Sequence, residues 1–246
     1  RALKRLFLRA VVRLSREVLT ISEHSRRTIG RDLGVPPGDV TVLTLPYDDE
    51  LVAAVEAVRP TVTPLDTALY VGAFLPNKNL DRLVQAFSAS RFAATGGRLA
   101  LVGGDEAEGR RLAAGAAPAL GAAIDVRPRC DQDELRRLFA SALLLVQPSV
   151  EEGFGLPVLE AMSCGLPVCV SDGGALPEVT RGRAPHFPAT SVPAMTAALD
   201  ECAAAAREAR AAGRPPIPPT PEELGVVPVA EFDRQVCEVV ARRLRK

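Results

Sequence analysis

The sequence predicts a doubly wound, Rossmann-like α/β fold with a parallel sheet, joined to a remnant of a second such domain. Three observations predict it. Between residues 67 and 190, short apolar runs alternate with longer amphipathic stretches. The runs at 99–102 and 143–146 are apolar throughout, as in parallel strands covered on both faces. Several runs end in glycine-containing turns, and right-handed crossovers put such turns at the carboxyl edge of the sheet, where ligands bind.

The elements read as follows. Residues 1–16 form a basic amphipathic helix, with Leu3, Leu6, Phe7, Ala10, Val11 and Leu14 on one face and Arg1, Lys4, Arg5, Arg9, Arg13 and Arg16 around it. Residues 17–21 are a strand. Ser22 then caps a helix that Gly34 stops. Residues 40–45 are a second strand, and 46–66, punctuated by Pro46, Pro60 and Pro64, are a linker. A strand at 68–71 leads to a helix capped by Asn79, with Leu80, Leu83, Val84 and Phe87 on its apolar face. The strand at 99–102 ends in Gly103-Gly104-Asp105 and feeds an Ala- and Arg-rich helix. Ile124 and Val126 mark a strand, 131–140 a helix, 143–146 a strand, 156–163 a helix, and 168–170 a strand ending at Asp172-Gly173-Gly174. An Ala-rich helix covers 192–212, a Pro-rich linker 213–228, and a last helix about 229–244, with no internal repeat.

Composition narrows the class. With 246 residues the chain holds one or two domains, and 47% hydrophobic residues are enough for a core. Lys plus Arg and Asp plus Glu balance at 30 each, so charge gives no argument for nucleic acid. Cys130, Cys164, Cys169, Cys202 and Cys237 are odd in number and form no Cys-x-x-Cys pair, which reads as core thiols in a reducing compartment. No apolar run approaches the roughly 18–20 residues of a membrane span. There is neither a leader-type segment nor an initiating Met, and the chain is expected to be a fragment or a processed form.

Residues 151–167, Glu-Glu-Gly-Phe-Gly-Leu-Pro-Val-Leu-Glu-Ala-Met-Ser-Cys-Gly-Leu-Pro, are the most informative stretch. A buried strand, a glycine-rich turn and a helix N-terminus make an anion cradle of free N–H groups and positive dipole. Pro157 suits the first helical turn. Glu152 and Glu160 beside that cradle suggest a phosphorylated ligand with hydroxyls to hold, such as a nucleotide sugar.

This stretch closely resembles the paired-glutamate motif of retaining GT-B glycosyltransferases. The resemblance implies two Rossmann-like domains facing a cleft, with the donor in the C-terminal one. Residues 67–212 would then be the nucleotide-sugar domain and 1–45, notably Leu19-Thr-Ile-Ser-Glu-His-Ser-Arg-Arg27, a remnant of the acceptor domain. Residues 229–246 would return to that remnant. The implied reaction moves a sugar with retention to a glycan or lipid-linked hydroxyl, with no metal or other cofactor. A mannosyltransferase flavour comes from Lys78-Asn-Leu-Asp81. The implied location is cytoplasmic, or peripheral at the inner membrane face if the basic first helix binds lipid rather than burying its apolar side.

The resemblance assigns roles. Glu152 lies near the transferred sugar and is the candidate catalytic residue. Glu160, read in the first turn of its helix, holds the ribose hydroxyls, and a carboxylate accepts two such bonds well. Gly153, Phe154, Gly155 and Leu156 offer N–H groups to sugar and phosphate oxygens. Lys78, in the loop after Gly72, reaches the diphosphate as a point charge. The family usually places Arg just after that glycine; here the position is Ala73. Arg129-Cys130 lies where the family packs the nucleobase. Asp131-Gln-Asp133 matches a manganese-binding pattern of another glycosyltransferase fold, but Asp131 with Glu134 reads as a helix cap. Glu151 reads as solvated, and neither His24 nor His186 is given a role. Two rival readings stand beside the main one. One is a GT-B nucleotide-sugar epimerase or hydrolase. The other is a non-catalytic binding subunit whose cleft a partner chain completes.

Overall fold

A computed structural model describes residues 2–15, 17–214 and 216–244. Arg1, Arg16 and Pro215 lie outside the described residues, as do the side chains of Leu3, Lys4 and Arg5. The first helix, α1 (Ala2–Leu14), leaves its apolar face open rather than buried: Phe7 is 67% and Leu14 87% exposed.

The N-terminal unit is a small parallel pair, β1 (Val18–Thr20) and β2 (Val40–Val42), spanned by α2 (Glu23–Leu33). Local chemistry sets the limits of α2. The Ser22 hydroxyl accepts the Ser25 N–H at 3.0 Å, and Gly34 closes the helix in the left-handed region at φ 74°.

Residues 46–66, expected to be a linker, contain α3 (Asp49–Val58). The Asp48 carboxylate accepts the Leu51 N–H at 2.8 Å, and Val55 is fully buried. The prolines at both ends punctuate this helix rather than exclude it.

Residues 67–187 build the main sheet: β3 (Thr67–Val71), β4 (Arg98–Val102), β5 (Ile124–Arg127), β6 (Leu144–Gln147), β7 (Val168–Ser171) and β8 (His186–Phe187). All pairings are parallel, in the order β5-β4-β3-β6-β7-β8. This is the doubly wound order that reverses between the first and fourth strands, here β3 and β6. Helices α4 (Leu80–Ser88), α5 (Arg91–Ala94), α6 (Glu106–Ala114), α7 (Gln132–Ser141), α8 (Leu156–Ser163), α9 (Leu176–Thr180) and α10 (Val192–Ala211) cover the sheet. The alternation of β4 shows the layering. Leu99 and Leu101 join Phe87, Phe92, Met195 and Leu199 on one face, while Ala100 and Val102 join Phe139, Val158 and Leu159 on the other.

Asn79 occupies the N-cap position of α4 but makes no side-chain cap, contrary to expectation. Its buried amide instead donates to Pro148 O at 2.9 Å and Ala189 O at 2.7 Å, tying the loop after β6 to the turn after β8. Asp131 does cap α7, yet the Glu134 carboxylate turns to Arg127 at 2.7 Å instead of back to the cap.

The Pro-rich stretch 213–228 also holds structure. A capping box of Thr220 and Glu223 starts α11 (Pro221–Leu224), and Leu224 and Val226 are buried. Val227 then bonds Leu45 and Tyr47, and α12 (Val229–Leu244) brings the Gln235 carbonyl to the Thr44 N–H at 3.2 Å.

Candidate functional site

The strand order brings the loop after β3 (residues 72–79) beside the loop after β6 (148–155), so both candidate loops flank the point where the sheet reverses. They are stitched together: Val150 N–H donates to Asn77 O at 2.9 Å, and the Asn77 amide donates to Glu151 O at 3.1 Å. Lys78 and Glu152 meet in this seam. Lys78 Nζ lies 2.7 Å from Glu152 Oε2, with the side chains 17% and 14% exposed.

Glu152 Oε2 also accepts from Gln147 Nε2 at 3.2 Å and Ser149 Oγ at 3.1 Å. All these bonds converge on one oxygen, and among the described residues Oε1 has no donor. The Gln147 amide also donates to Ser149 Oγ at 3.0 Å, which leaves its own Oε1 buried without a donor among the described residues. Gln147 and Ser149 were not singled out from the sequence. The signal was a polar residue closing the apolar run of β6.

Beneath the other loop, Tyr70 donates to Ala73 O at 2.9 Å, and a Cβ on Gly72 would stand 2.8 Å from its hydroxyl oxygen. Burial, and then the nearby Glu152 carboxylate, push the Tyr70 pKa up, so its hydroxyl stays neutral.

The motif turn is held from behind. A Cβ on Gly173 would come 2.0 Å from Ser149 O, and one on Gly174 2.2 Å from Glu152 O. Only backbone without side chains can approach that closely. Gly155 caps α8 at φ 103°. The N–H groups of Gly153, Phe154, Gly155 and Leu156 have no hydrogen-bond partner among the described residues. Together with the end of α8 they form a run of free donors beside the Lys78 cation.

Glu160 does not join this cluster. It lies in the second turn of α8, not the first, and lines a cleft of about 340 Å³ with Pro46, Asp48, Leu51, Leu159 and Phe232. Burial, and then the Asp48 charge, raise its pKa above the ordinary 4.5. Cys130 is half-buried in the loop after β5. Its Sγ lies 3.4 Å from Asp131 O, and burial and nearby carboxylates push the thiol up to about 11. It is therefore a neutral packing group. Glu151 is not simply solvated: its Oε1 lies 2.7 Å from His24 Nε2.

Residues 66–205 match the family described as Glycosyl transferases group 1. Over 173 residues the chain is 30% identical to the O-antigen chain mannosyltransferase B of Escherichia coli, covering 66% of this chain and 45% of that protein. The chain thus spans under half the length of this curated relative. Among solved structures, a sucrose-phosphate synthase from Thermosynechococcus elongatus superposes with a TM-score of 0.77 at 23% identity, over 100% of this chain and 62% of that one. Anabaena HepE in complex with UDP-glucose superposes with a TM-score of 0.74 at 18% identity, over 97% and 68%. The fold is that of the GT-B glycosyltransferases.

Proposed function

Because the chain belongs to the glycosyl transferases group 1 family, we propose that it is the donor-binding half of a retaining glycosyltransferase. The complete enzyme moves a sugar from a nucleotide diphosphate sugar to a hydroxyl of a glycan or a lipid-linked acceptor. The observation that carries this reading is the Lys78–Glu152 pair beside the free N–H groups of 153–156, at the reversal point of the sheet. The likeness to a mannosyltransferase supports mannose as the sugar, and the UDP-glucose bound by HepE supports a nucleotide sugar as the donor.

Each residue then has a task. Lys78, still paired with Glu152, offers the remaining N–H donors of its ammonium to the diphosphate, and the N–H groups of 153–156 hold phosphate and sugar oxygens. Glu152, with Oε2 held by Lys78, Gln147 and Ser149, offers Oε1 to a hydroxyl of the transferred sugar. Glu160 accepts the ribose hydroxyls, and the loop at Cys130 borders the base. In the transfer, the bond from the anomeric carbon to the diphosphate oxygen breaks and a bond to the acceptor oxygen forms. The acceptor proton passes to the departing diphosphate. The protein's part is to position groups and stabilise charge. Asp131 caps α7 and Asp133 pairs with Arg136 at 2.7 Å, which supports a helix-end role for this pair over a metal site.

Calorimetric titration with UDP, GDP and ADP tests the reading. One nucleotide is expected to saturate, and Glu160→Ala is expected to weaken it roughly 10-fold or more, as losing hydrogen bonds to a charged group does. Absence of binding by all of them contradicts the reading. The complementary expectation is binding without efficient transfer, so robust transfer by this chain alone would also count against it.

A pH dependence follows from the raised pKa of Glu160. The ionised carboxylate is the form that accepts ribose hydroxyls, so affinity is present above the raised pKa and lost as pH falls through it. The fall is expected to begin above the ordinary 4.5 and to flatten in Glu160→Gln. Affinity that stays constant through this range in the wild type would remove Glu160 from the site.

A further inference from the structure

The motif turn is gripped from the N-terminal unit as well as from its own domain. Ser22 Oγ donates to Gly153 O at 2.7 Å, and Ser25 Oγ donates to the same oxygen at 3.2 Å. Ser22 is fully buried, and its hydroxyl both donates to Gly153 and accepts the Ser25 N–H. Further contacts fix the first turn of α2 in place. The Glu178 carboxylate, carried on α9, accepts the Glu23 N–H at 2.8 Å and the His24 N–H at 3.1 Å. His24 Nε2 stands 2.7 Å from Glu151 Oε1, one residue before Glu152.

A trans peptide unit is planar, with its C=O and N–H pointing to opposite sides, and the chain contains no cis peptide among its described residues. Holding the Gly153 oxygen toward α2 therefore turns the Phe154 N–H away from α2. That N–H has no partner among the described residues. Glycine on the near side of this peptide would otherwise let the unit turn over. The turned unit would present a carbonyl oxygen where a donor is needed.

We propose that Ser22 and Ser25 are positioning residues for the sugar of the donor. By fixing the Gly153 carbonyl they present the Phe154 N–H to a sugar oxygen. The inference rests on the donor-site reading above and adds a coupling to it. The serines sit on the N-terminal unit and Gly153 on the sheet domain, so the sugar grip exists only while the two units are docked. The nucleoside diphosphate, held by Lys78, Glu160 and the N–H groups of Gly155 and Leu156, does not use the Phe154 N–H and needs no such docking.

The test titrates wild type, Ser22→Ala, Ser22→Thr and Ser25→Ala with matched ligands: UDP and UDP-glucose, GDP and GDP-mannose, ADP and ADP-glucose. Ser25→Ala keeps the N-cap, since Ser25 contributes only its backbone N–H there. It is expected to weaken the nucleotide sugar about 5-fold, one net hydrogen bond, and Ser22→Ala more. Affinity for the parent nucleoside diphosphate is expected to stay within about 2-fold, and Ser22→Thr, which keeps a hydroxyl, is expected to restore the sugar form. Equal affinity of wild type and both Ala variants for the nucleotide sugar overturns the inference alone. Equal losses for both ligand forms also overturn it, by reducing the serines to a structural role. A wild-type chain that binds none of these ligands removes the donor-site reading and this inference with it.

Discussion

Replacing Lys78 with Met is expected to cost about 3 kcal/mol of stability and to abolish measurable nucleoside diphosphate binding. The stability loss arises because Glu152 would keep its buried position without its cation, with only Gln147 and Ser149 as donors. The magnitude sits at the low end for breaking a buried pair, since water still reaches 17% and 14% of the two side chains. The double variant Lys78→Met/Glu152→Gln is expected to lose less than the sum of its single changes, by about 1–3 kcal/mol, because the orphaned charge is gone. It should remain unable to bind the diphosphate. Chemical denaturation of the four proteins checks the first part and calorimetry the second. Additive single losses would mean that Lys78 and Glu152 do not act as a pair.

Gly174→Ala is expected to destabilise the chain by about 3 kcal/mol and to displace the motif turn. The new Cβ would sit 2.2 Å from Glu152 O and 2.3 Å from Glu152 N, backbone that cannot swing aside, at a φ of 66° that already disfavours a side chain. Gly182 is the matched control. Its φ is 76°, but a Cβ there meets nothing within 4 Å. Gly182→Ala should therefore cost only the left-handed backbone term, about 1 kcal/mol. Thermal unfolding of both variants separates crowding from backbone strain. Equal losses would show that the turn after β7 does not brace the site.

Where structure is decided locally, the sequence was enough. Ser22, Gly34 and Asp131 sit at the helix limits the sequence assigned them, and the cap bonds of Ser22 and Asp131 and the left-handed φ of Gly34 involve only residues within a turn. Helix α3 escaped notice because Pro46 and Pro60 were read as a linker's punctuation, although Asp48 is a cap and Leu51, Val52 and Val55 follow at helical spacing. Strand β8 and helix α9 are too short to carry a period. Asn79 has the composition of a cap, but two carbonyls distant in sequence take its amide instead.

In the site, Lys78 and Glu152 were both legible as candidates, each for a different part of the ligand. Their mutual contact depends on β3 lying beside β6, a pairing that no local pattern records. The same holds for Ser22 and Ser25 against Gly153, which lie in different units of the chain. Glu160 was legible as a motif residue, but with α8 starting at Leu156, as the sequence has it, Glu160 is the fifth helical residue and falls in the second turn.

The most direct test maps the amide resonances of the chain when the nucleoside diphosphate that saturates it is added. The account predicts that Gly72, Lys78 and residues 153–156 at the carboxyl edge of the sheet shift most, with Glu160 and its neighbours on α8 next. The contrary result is a set of shifts confined to the cleft of about 290 Å³ at the opposite edge, lined by Gly165, Pro167, Ile217 and Glu223, with the motif turn unmoved. That outcome would place the nucleotide away from the Lys78–Glu152 pair and contradict the assignment of the donor site.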